Sequence, residues 1–224
     1  MTSPRLILWD IDGTLTSNDE SEETLFVGSA EGVLGPLPGI VHPYRHGKTD
    51  LQQVTEYLLA NGGDADQVPE GSRLLVEVSA AHFAEPGERV LLPGVASVLR
   101  HLAAEGHVNA LLTGNGPERA ALKLRSAGVD RNLFDWDASF FGDAAGTRPD
   151  LTKAAAAYAA ARGLVPVIVG DTVADALAAE EAGIGFIGVA TGVYGVAELQ
   201  ATPNILVVED LDVGGAAVVD ALRA

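Results

Sequence analysis

The chain has 224 residues, 47% apolar and 20% charged, a length and balance that suit one well-buried domain, or one with a modest insertion, and argue against disorder. Its net charge of −17 disfavours nucleic acid or an anionic membrane surface as partners, because both require clustered Lys and Arg. The absence of cysteine removes disulfides, zinc thiolates and a thiol nucleophile in one step.

The first element expected is a short buried strand over Leu6-Ile7-Leu8-Trp9, which runs into Asp10-Ile11-Asp12-Gly13-Thr14. Side chains at i and i+2 of a strand point the same way, so Asp10 and Asp12 leave its carboxyl end side by side. Two carboxylates that close repel unless a cation or a shared proton sits between them. Such a pair can divide the work of a nucleophile and a proton-transfer group, although Asp-Gly is also ordinary turn chemistry. Residues 16–94 then carry helix-like runs (Glu22 to Leu34, Thr49 to Ala60, Gln67 to Phe83) with no convincing strand between them. This stretch ends at Leu92-Pro93-Gly94 and reads as a helical insertion over the carboxylate pair.

From residue 95 the pattern alternates. Helices are expected over Val95–Glu105, Pro117–Ala127, Leu151–Arg162, Thr172–Ala182 and Val213–Leu222. Strands are expected over Val108–Leu112, Ala138–Phe141, Val165–Val169, Ile184–Val189 and Ile205–Val208. Alternation with continuously apolar strands predicts an α/β fold, a parallel sheet covered on both faces, with ligands bound beyond the strands' carboxyl ends. No segment reaches the roughly 18 to 20 apolar residues a bilayer span needs, and Met1 to Arg5 lacks a signal-peptide pattern. Cytoplasmic residence is therefore expected.

Three more strand ends carry polar residues. Thr113-Gly114-Asn115 places a hydroxyl and backbone N–H groups at a strand-to-helix turn, suited either to phosphate oxygens or to capping the helix. Asp171 and Asp175 lie one helical turn apart, where they can hold a hard cation such as Mg²⁺ or serve as a cap and a favourable first-turn charge. Arg148 and Lys153 lie between these motifs and can bring positive charge to a phosphate; a solvated charge is the ordinary alternative.

In their order and spacing these segments resemble the haloacid dehalogenase-like hydrolase superfamily, in its branch with a helical cap that includes phosphoglycolate phosphatase-like and β-phosphoglucomutase-like members. Asp10-Ile11-Asp12-Gly13-Thr14 matches the first family motif, Thr113 with Gly114 the second, a basic residue the third, and Gly170-Asp171 with Asp175 the fourth. The resemblance implies a Rossmann-like core over residues 1–15 and 95–224 with a cap over 16–94. It implies that Asp10 takes the phosphoryl group and that Asp12 protonates the leaving alcohol and then activates water. It further implies Mg²⁺ held by Asp10, the main-chain carbonyl of Asp12, Asp171 and Asp175, with phosphate bound by Thr113 and Gly114. The third motif departs from the branch's usual Lys-Pro: this chain has Arg148-Pro149, with Lys153 as the fallback. An acid at position 12 implies phosphatase or phosphomutase chemistry rather than dehalogenation. In the cap, His42-Pro43-Tyr44-Arg45-His46-Gly47-Lys48-Thr49-Asp50 concentrates positive charge in an acidic chain, and Arg45, His46 and Lys48 are expected to meet the substrate's non-phosphate end. A solvated loop with Thr49 or Asp50 as a helix cap is the alternative there. The expected reaction is Mg²⁺-dependent hydrolysis of a small phosphorylated metabolite, with a phosphomutase or a non-catalytic phospholigand sensor as rivals.

Overall fold

A computed structural model describes residues 4–18, 22–44, 47–144 and 146–223. Strand β1 (Arg5–Trp9) leads into three helices, α1 (Glu22–Leu34), α2 (Asp50–Ala60) and α3 (Val68–His82). The alternating part follows: α4 (Val95–Ala104), β2 (Val108–Thr113), α5 (Pro117–Ser126), β3 (Phe140–Phe141), α6 (Arg148–Arg162), β4 (Val165–Gly170) and α7 (Val173–Ala182). It closes with β5 (Gly185–Val189), α8 (Val196–Gln200), β6 (Leu206–Val208) and α9 (Leu211–Arg223). No helix among the described residues is long and apolar enough to cross a membrane.

The six strands form one parallel sheet in the order β3-β2-β1-β4-β5-β6. Alternation along β1 feeds two cores. Ile7 and Trp9 join Val98, Leu99, Leu124, Val218 and Leu222 on one face, whereas Leu6 and Leu8 join Leu151, Ala155, Ala176 and Phe186 on the other. Each Val, Leu, Ile or Phe among these contributes about 1.5–3 kcal/mol on burial, so a sheet covered on both faces is strongly favoured over an open one. The buried indole N–H of Trp9 donates to Asn109 Oδ1 at 3.0 Å, and Asn109 Nδ2 donates to the Leu99 carbonyl at 3.0 Å.

Helices α1, α2 and α3 build a third core from Leu25, Phe26, Val54, Tyr57, Leu75 and Phe83, with the Phe26 and Tyr57 rings stacked at 5.7 Å. Two strand-like crossings join this unit to the sheet, where Ser17 N–H donates to the Val90 carbonyl (2.9 Å) and Leu92 N–H to the Leu15 carbonyl (3.0 Å). At the other side the start of α2 lies on the sheet's loops. Asp50 N–H donates to the Gly114 carbonyl (2.6 Å) and Leu51 N–H to the Gly142 carbonyl (3.3 Å).

The alternating elements lie where the pattern places them to within one or two residues at their ends, and three further differences have local causes. Helix α6 starts at Arg148 rather than Leu151, because the Thr147 hydroxyl caps it and Pro149 is tolerated in a first turn. Strand β3 is shorter than expected, since Asp135 Oδ1 accepts from the Asp137 and Ala138 N–H groups and holds that segment in a turn. The five-residue α8 is too short for a readable period and is fixed by Glu198, whose carboxylate accepts from the Gly195 N–H at 2.9 Å.

Candidate active site

Three neighbouring strands deliver the site. β1 lies between β2 and β4, so the residues after each strand meet at the point where the order of connection reverses, the usual crevice of open α/β sheets. Asp10 follows β1, Thr113 ends β2, and Asp171 follows β4. All three are buried, and with Asp12, Arg148 and Asp175 they line a cavity of about 440 Å³.

Asp10, Asp171 and Asp175 each present a carboxylate oxygen, all within 4.8 Å of one another. Burial, opposed by Arg148 and reinforced by Asp175 and Asp12, pushes the Asp10 carboxyl up to about 7. Burial, with Asp10 and Asp175 adding to it, likewise raises Asp171 well above the ordinary carboxylate range, against a hydrogen bond from Thr14 Oγ1 (3.1 Å). Carboxylates packed together at such a cost make an all-oxygen donor set that suits a hard divalent cation. Two glycines keep Asp171 in place: a Cβ on Gly13, whose φ is +83°, or on Gly192 would strike its carboxylate. The Asp12 side chain is not part of this oxygen set.

Arg148 enters from the first turn of α6. Its Nη1 lies 3.4 Å from Asp10 Oδ1, and its Nη2 is ion-paired with Asp175. Lys153, the fallback, lies away from the cavity: it sits half-exposed on α6, paired with Glu181 at 2.6 Å. Five residues along a helix carry Lys153 away from the face that Arg148 presents. Thr113 Oγ1 accepts from Asn115 Nδ2 at 2.9 Å. Gly114 is required by its neighbour, because a Cβ there would collide with the Lys48 carbonyl. Lys48 lines the cavity and pairs with Glu56 (2.5 Å), while Thr49 is the N-cap of α2, accepting from Gln52 N–H at 3.1 Å. Arg45 and His46 lie outside the described residues.

Sequence reasoning missed a buried ionic cluster beside the pair. Asp12 Oδ2 accepts from Lys123 Nζ and Asn115 Nδ2, both at 2.7 Å, and Asp12 Oδ1 lies 3.2 Å from Arg89 Nη2. Glu22 receives Lys123 (2.7 Å), Arg119 (2.8 Å) and Arg89. Arg119 also pairs with Asp50, whose other oxygen accepts from Gly116 N–H at 2.8 Å. Burial alone would raise the Glu22 carboxyl, but Lys123, Arg119 and Arg89 outweigh it and hold Glu22 far below the ordinary range. For Arg119 burial works against the charge, and Asp50 and Glu22 overcome it. Helices α1 and α2, the segment before α4 and helix α5 thus share one set of charges around Asp12. A readable trace exists in α5: Arg119 and Lys123 fall on the same face as Ala120 and Leu124, so its buried stripe is too narrow unless it includes two cations.

A family model for "haloacid dehalogenase-like hydrolase" matches residues 4–183. The chain belongs to this family. It is a hydrolase, built on the fold its members share. Among relatives, the phosphoglycolate phosphatase of Pseudomonas putida is 31% identical over 94% of this chain and 78% of its own. Two solved structures resemble the fold at 22% identity: a hydrolase from Pseudomonas syringae (TM-score 0.71, covering 98% of this chain and 99% of that one) and CbbY from Rhodobacter sphaeroides in complex with phosphate (TM-score 0.72, 96% and 97%). Family phosphatases use a divalent metal, and the Asp10, Asp171 and Asp175 oxygens fit one.

Proposed function

We propose that this enzyme is a Mg²⁺-dependent phosphatase that hydrolyses a small phosphorylated metabolite through an aspartyl-phosphate on Asp10. The observation that carries the reading is the placing of buried Asp10 at the switch point of the sheet, within 4.8 Å of Asp171 and Asp175 and 3.4 Å from Arg148. When bound by Asp10, Asp171, Asp175 and the Asp12 main-chain carbonyl, Mg²⁺ supplies positive charge that neutralises the phosphate and keeps Asp10 ionised.

Each protein group then has one task. An Asp10 carboxylate oxygen bonds to phosphorus while the bond from phosphorus to the leaving alcohol breaks. Thr113 Oγ1, the Gly114 N–H and the Arg148 guanidinium bind the equatorial oxygens, where charge is spread in the transition state. Asp12 gives its proton to the departing alkoxide, a step worth about 10²–10⁴-fold in rate. To do so it has to enter the reaction protonated and exchange Lys123, Asn115 and Arg89 for the substrate. Deprotonated, Asp12 then takes a proton from water, which attacks phosphorus, breaks the acyl phosphate and restores Asp10. Residues 1–15 with 95–224 act as the catalytic core and 16–94 as the cap, which brings Lys48 to the far end of the substrate. The separate core of α1, α2 and α3 supports that division.

The test is release of inorganic phosphate from p-nitrophenyl phosphate with Mg²⁺. Asp10→Asn is expected to abolish it while circular dichroism stays unchanged. Undiminished turnover in that variant would sink the mechanism, and isomer conversion with little free phosphate would replace hydrolysis by mutase chemistry.

A further inference from the structure

Asp12 is held from behind the cavity by partners it must give up. Lys123 Nζ and Asn115 Nδ2 each donate to its Oδ2 at 2.7 Å, and Arg89 Nη2 stands 3.2 Å from its Oδ1. Lys123 is the hardest of these to leave. It is fully buried, and three oxygens surround its ammonium: Asp12 Oδ2, Asn115 Oδ1 at 2.6 Å and Glu22 Oε1 at 2.7 Å. A buried cation stripped of its carboxylate is strongly disfavoured, so Asp12 can turn away only if Lys123 keeps a negative partner.

Glu22 is that partner. Among the described residues it is the only carboxylate besides Asp12 that pairs with Lys123. The same two acids also share Arg89. Glu22 is itself buried, stands at the first position of α1 and lines the cavity together with Asp12. With Asp12 in place, Asp12, Glu22 and Asp50 balance Arg89, Arg119 and Lys123, three charges against three. Once Asp12 turns, Glu22 still holds Lys123 and Arg89, and Asp50 still holds Arg119. A neutral group at position 22 would then leave Lys123 without a charged partner among the described residues.

Resting on the phosphatase reading above, we propose that Glu22 is a positioning residue that takes over Lys123 and Arg89 while Asp12 turns to the leaving group. The proton still passes from Asp12 to the leaving oxygen as the bond from that oxygen to phosphorus breaks. Glu22 exchanges no atom with the substrate and acts only through Asp12. Its loss therefore weighs on substrates whose leaving group departs with a proton, and spares those whose leaving group needs none. General loosening of the fold would slow both kinds alike.

The experiment measures kcat/KM for phosphate release by the full chain with Mg²⁺ on benzyl phosphate and on p-nitrophenyl phosphate. Benzyl alkoxide is a strong base and leaves with a proton, whereas p-nitrophenolate leaves without one. Both rates come from one preparation, so their ratio does not depend on how much of it is folded. Glu22→Gln is expected to lower the ratio of benzyl to p-nitrophenyl phosphate on the order of tenfold or more. In an Asp12→Asn background the same change should move the ratio by less than about twofold, because residues acting through one step are not additive. Lys123→Met, which removes the cation that needs receiving, is expected to hold or raise the ratio, and this arm decides if Glu22→Gln does not fold. Added to Glu22→Gln, where it also restores the balance of charge, it should raise the ratio about threefold or more. An unmoved ratio in Glu22→Gln, an equal fall in both backgrounds, no recovery in the double variant, or a fall of about tenfold in Lys123→Met overturns the proposal. So does a wild type that hydrolyses p-nitrophenyl phosphate but not benzyl phosphate; in all these cases p-nitrophenyl phosphate turnover leaves the phosphatase reading standing. Absence of phosphate from both substrates in wild type overturns both readings.

Discussion

Glu22→Gln isolates the ionic cluster that ties α1 to the catalytic loops. Glu22 is buried and accepts from three cations, Arg89, Arg119 and Lys123, which are themselves fully buried. Neutralising it leaves those three charges with only Asp12 and Asp50 for compensation. Removing one partner from a buried ion pair costs about 3–5 kcal/mol, far more than the ~0–1 kcal/mol of an exposed pair. With three cations affected and two carboxylates remaining, we expect about 4 kcal/mol at pH 7. For a chain of this size that lowers Tm by about 8–16 °C. The assay is urea unfolding followed by circular dichroism, repeated from pH 7 downward. Glu22 titrates far below its free value of 4.5 in the fold, so its contribution is complete above that pH and is lost as the pH falls toward its depressed folded value. The gap between wild type and variant should hold steady at neutral pH and narrow below pH 4.5, by at most about 1.4 kcal/mol per pH unit. A loss under about 1 kcal/mol at pH 7, or a gap that ignores pH, would refute the reasoning and mean that water screens the cluster.

Further outcomes follow from the carboxylate set and the α6 charges. In metal-free protein Asp10→Asn should be more stable than wild type at pH 8, by about 1–3 kcal/mol in urea unfolding, because the raised Asp10 pKa makes its ionised form a destabilising group that Asn removes. The advantage should vanish near pH 4, where Asp10 is protonated in the fold. Added Mg²⁺ at about 100 times its Kd should stabilise wild type by about 2.7 kcal/mol, a rise in melting temperature that Asp171→Asn should largely remove. Arg148→Ala should lower kcat on the order of 10²-fold or more in the phosphate-release assay, whereas Lys153→Ala should leave kcat/KM within about twofold and stability within about 0.5 kcal/mol.

The gathering of Asp10, Thr113 and Asp171 at one end of the sheet was legible in the sequence because parallel-sheet physics makes it local. A continuously apolar strand followed at once by Asp10, Thr113 or Asp171 announces both the element and the end at which ligands gather. Arg148 stood out through the family resemblance, with Lys153 kept as the fallback, but the helix start was expected three residues later, since only the structure shows the Thr147 cap. The cluster was not legible. Its partners lie 67, 97 and 111 residues apart (Arg89–Glu22, Arg119–Glu22, Lys123–Asp12), and a charge within a helical pattern ordinarily reads as a solvated face. At Gly47-Lys48-Thr49 the helix-capping alternative is the one the structure shows. Thr49 caps α2, and that same cap sets Lys48 at the cavity wall and Asp50 against Gly114 and Arg119.

Covalent phosphorylation of Asp10 is the claim on which the mechanism rests, and rapid-quench mass spectrometry tests it most directly. The wild-type enzyme, mixed with Mg²⁺ and a turned-over phosphomonoester and quenched in acid within one turnover, should carry one phosphoryl group on the peptide containing Asp10. That adduct should decay in hydroxylamine, as an acyl phosphate does, and should be missing from Asp10→Asn. Steady phosphate release with no adduct on that peptide, or an adduct on any other residue, would contradict the account.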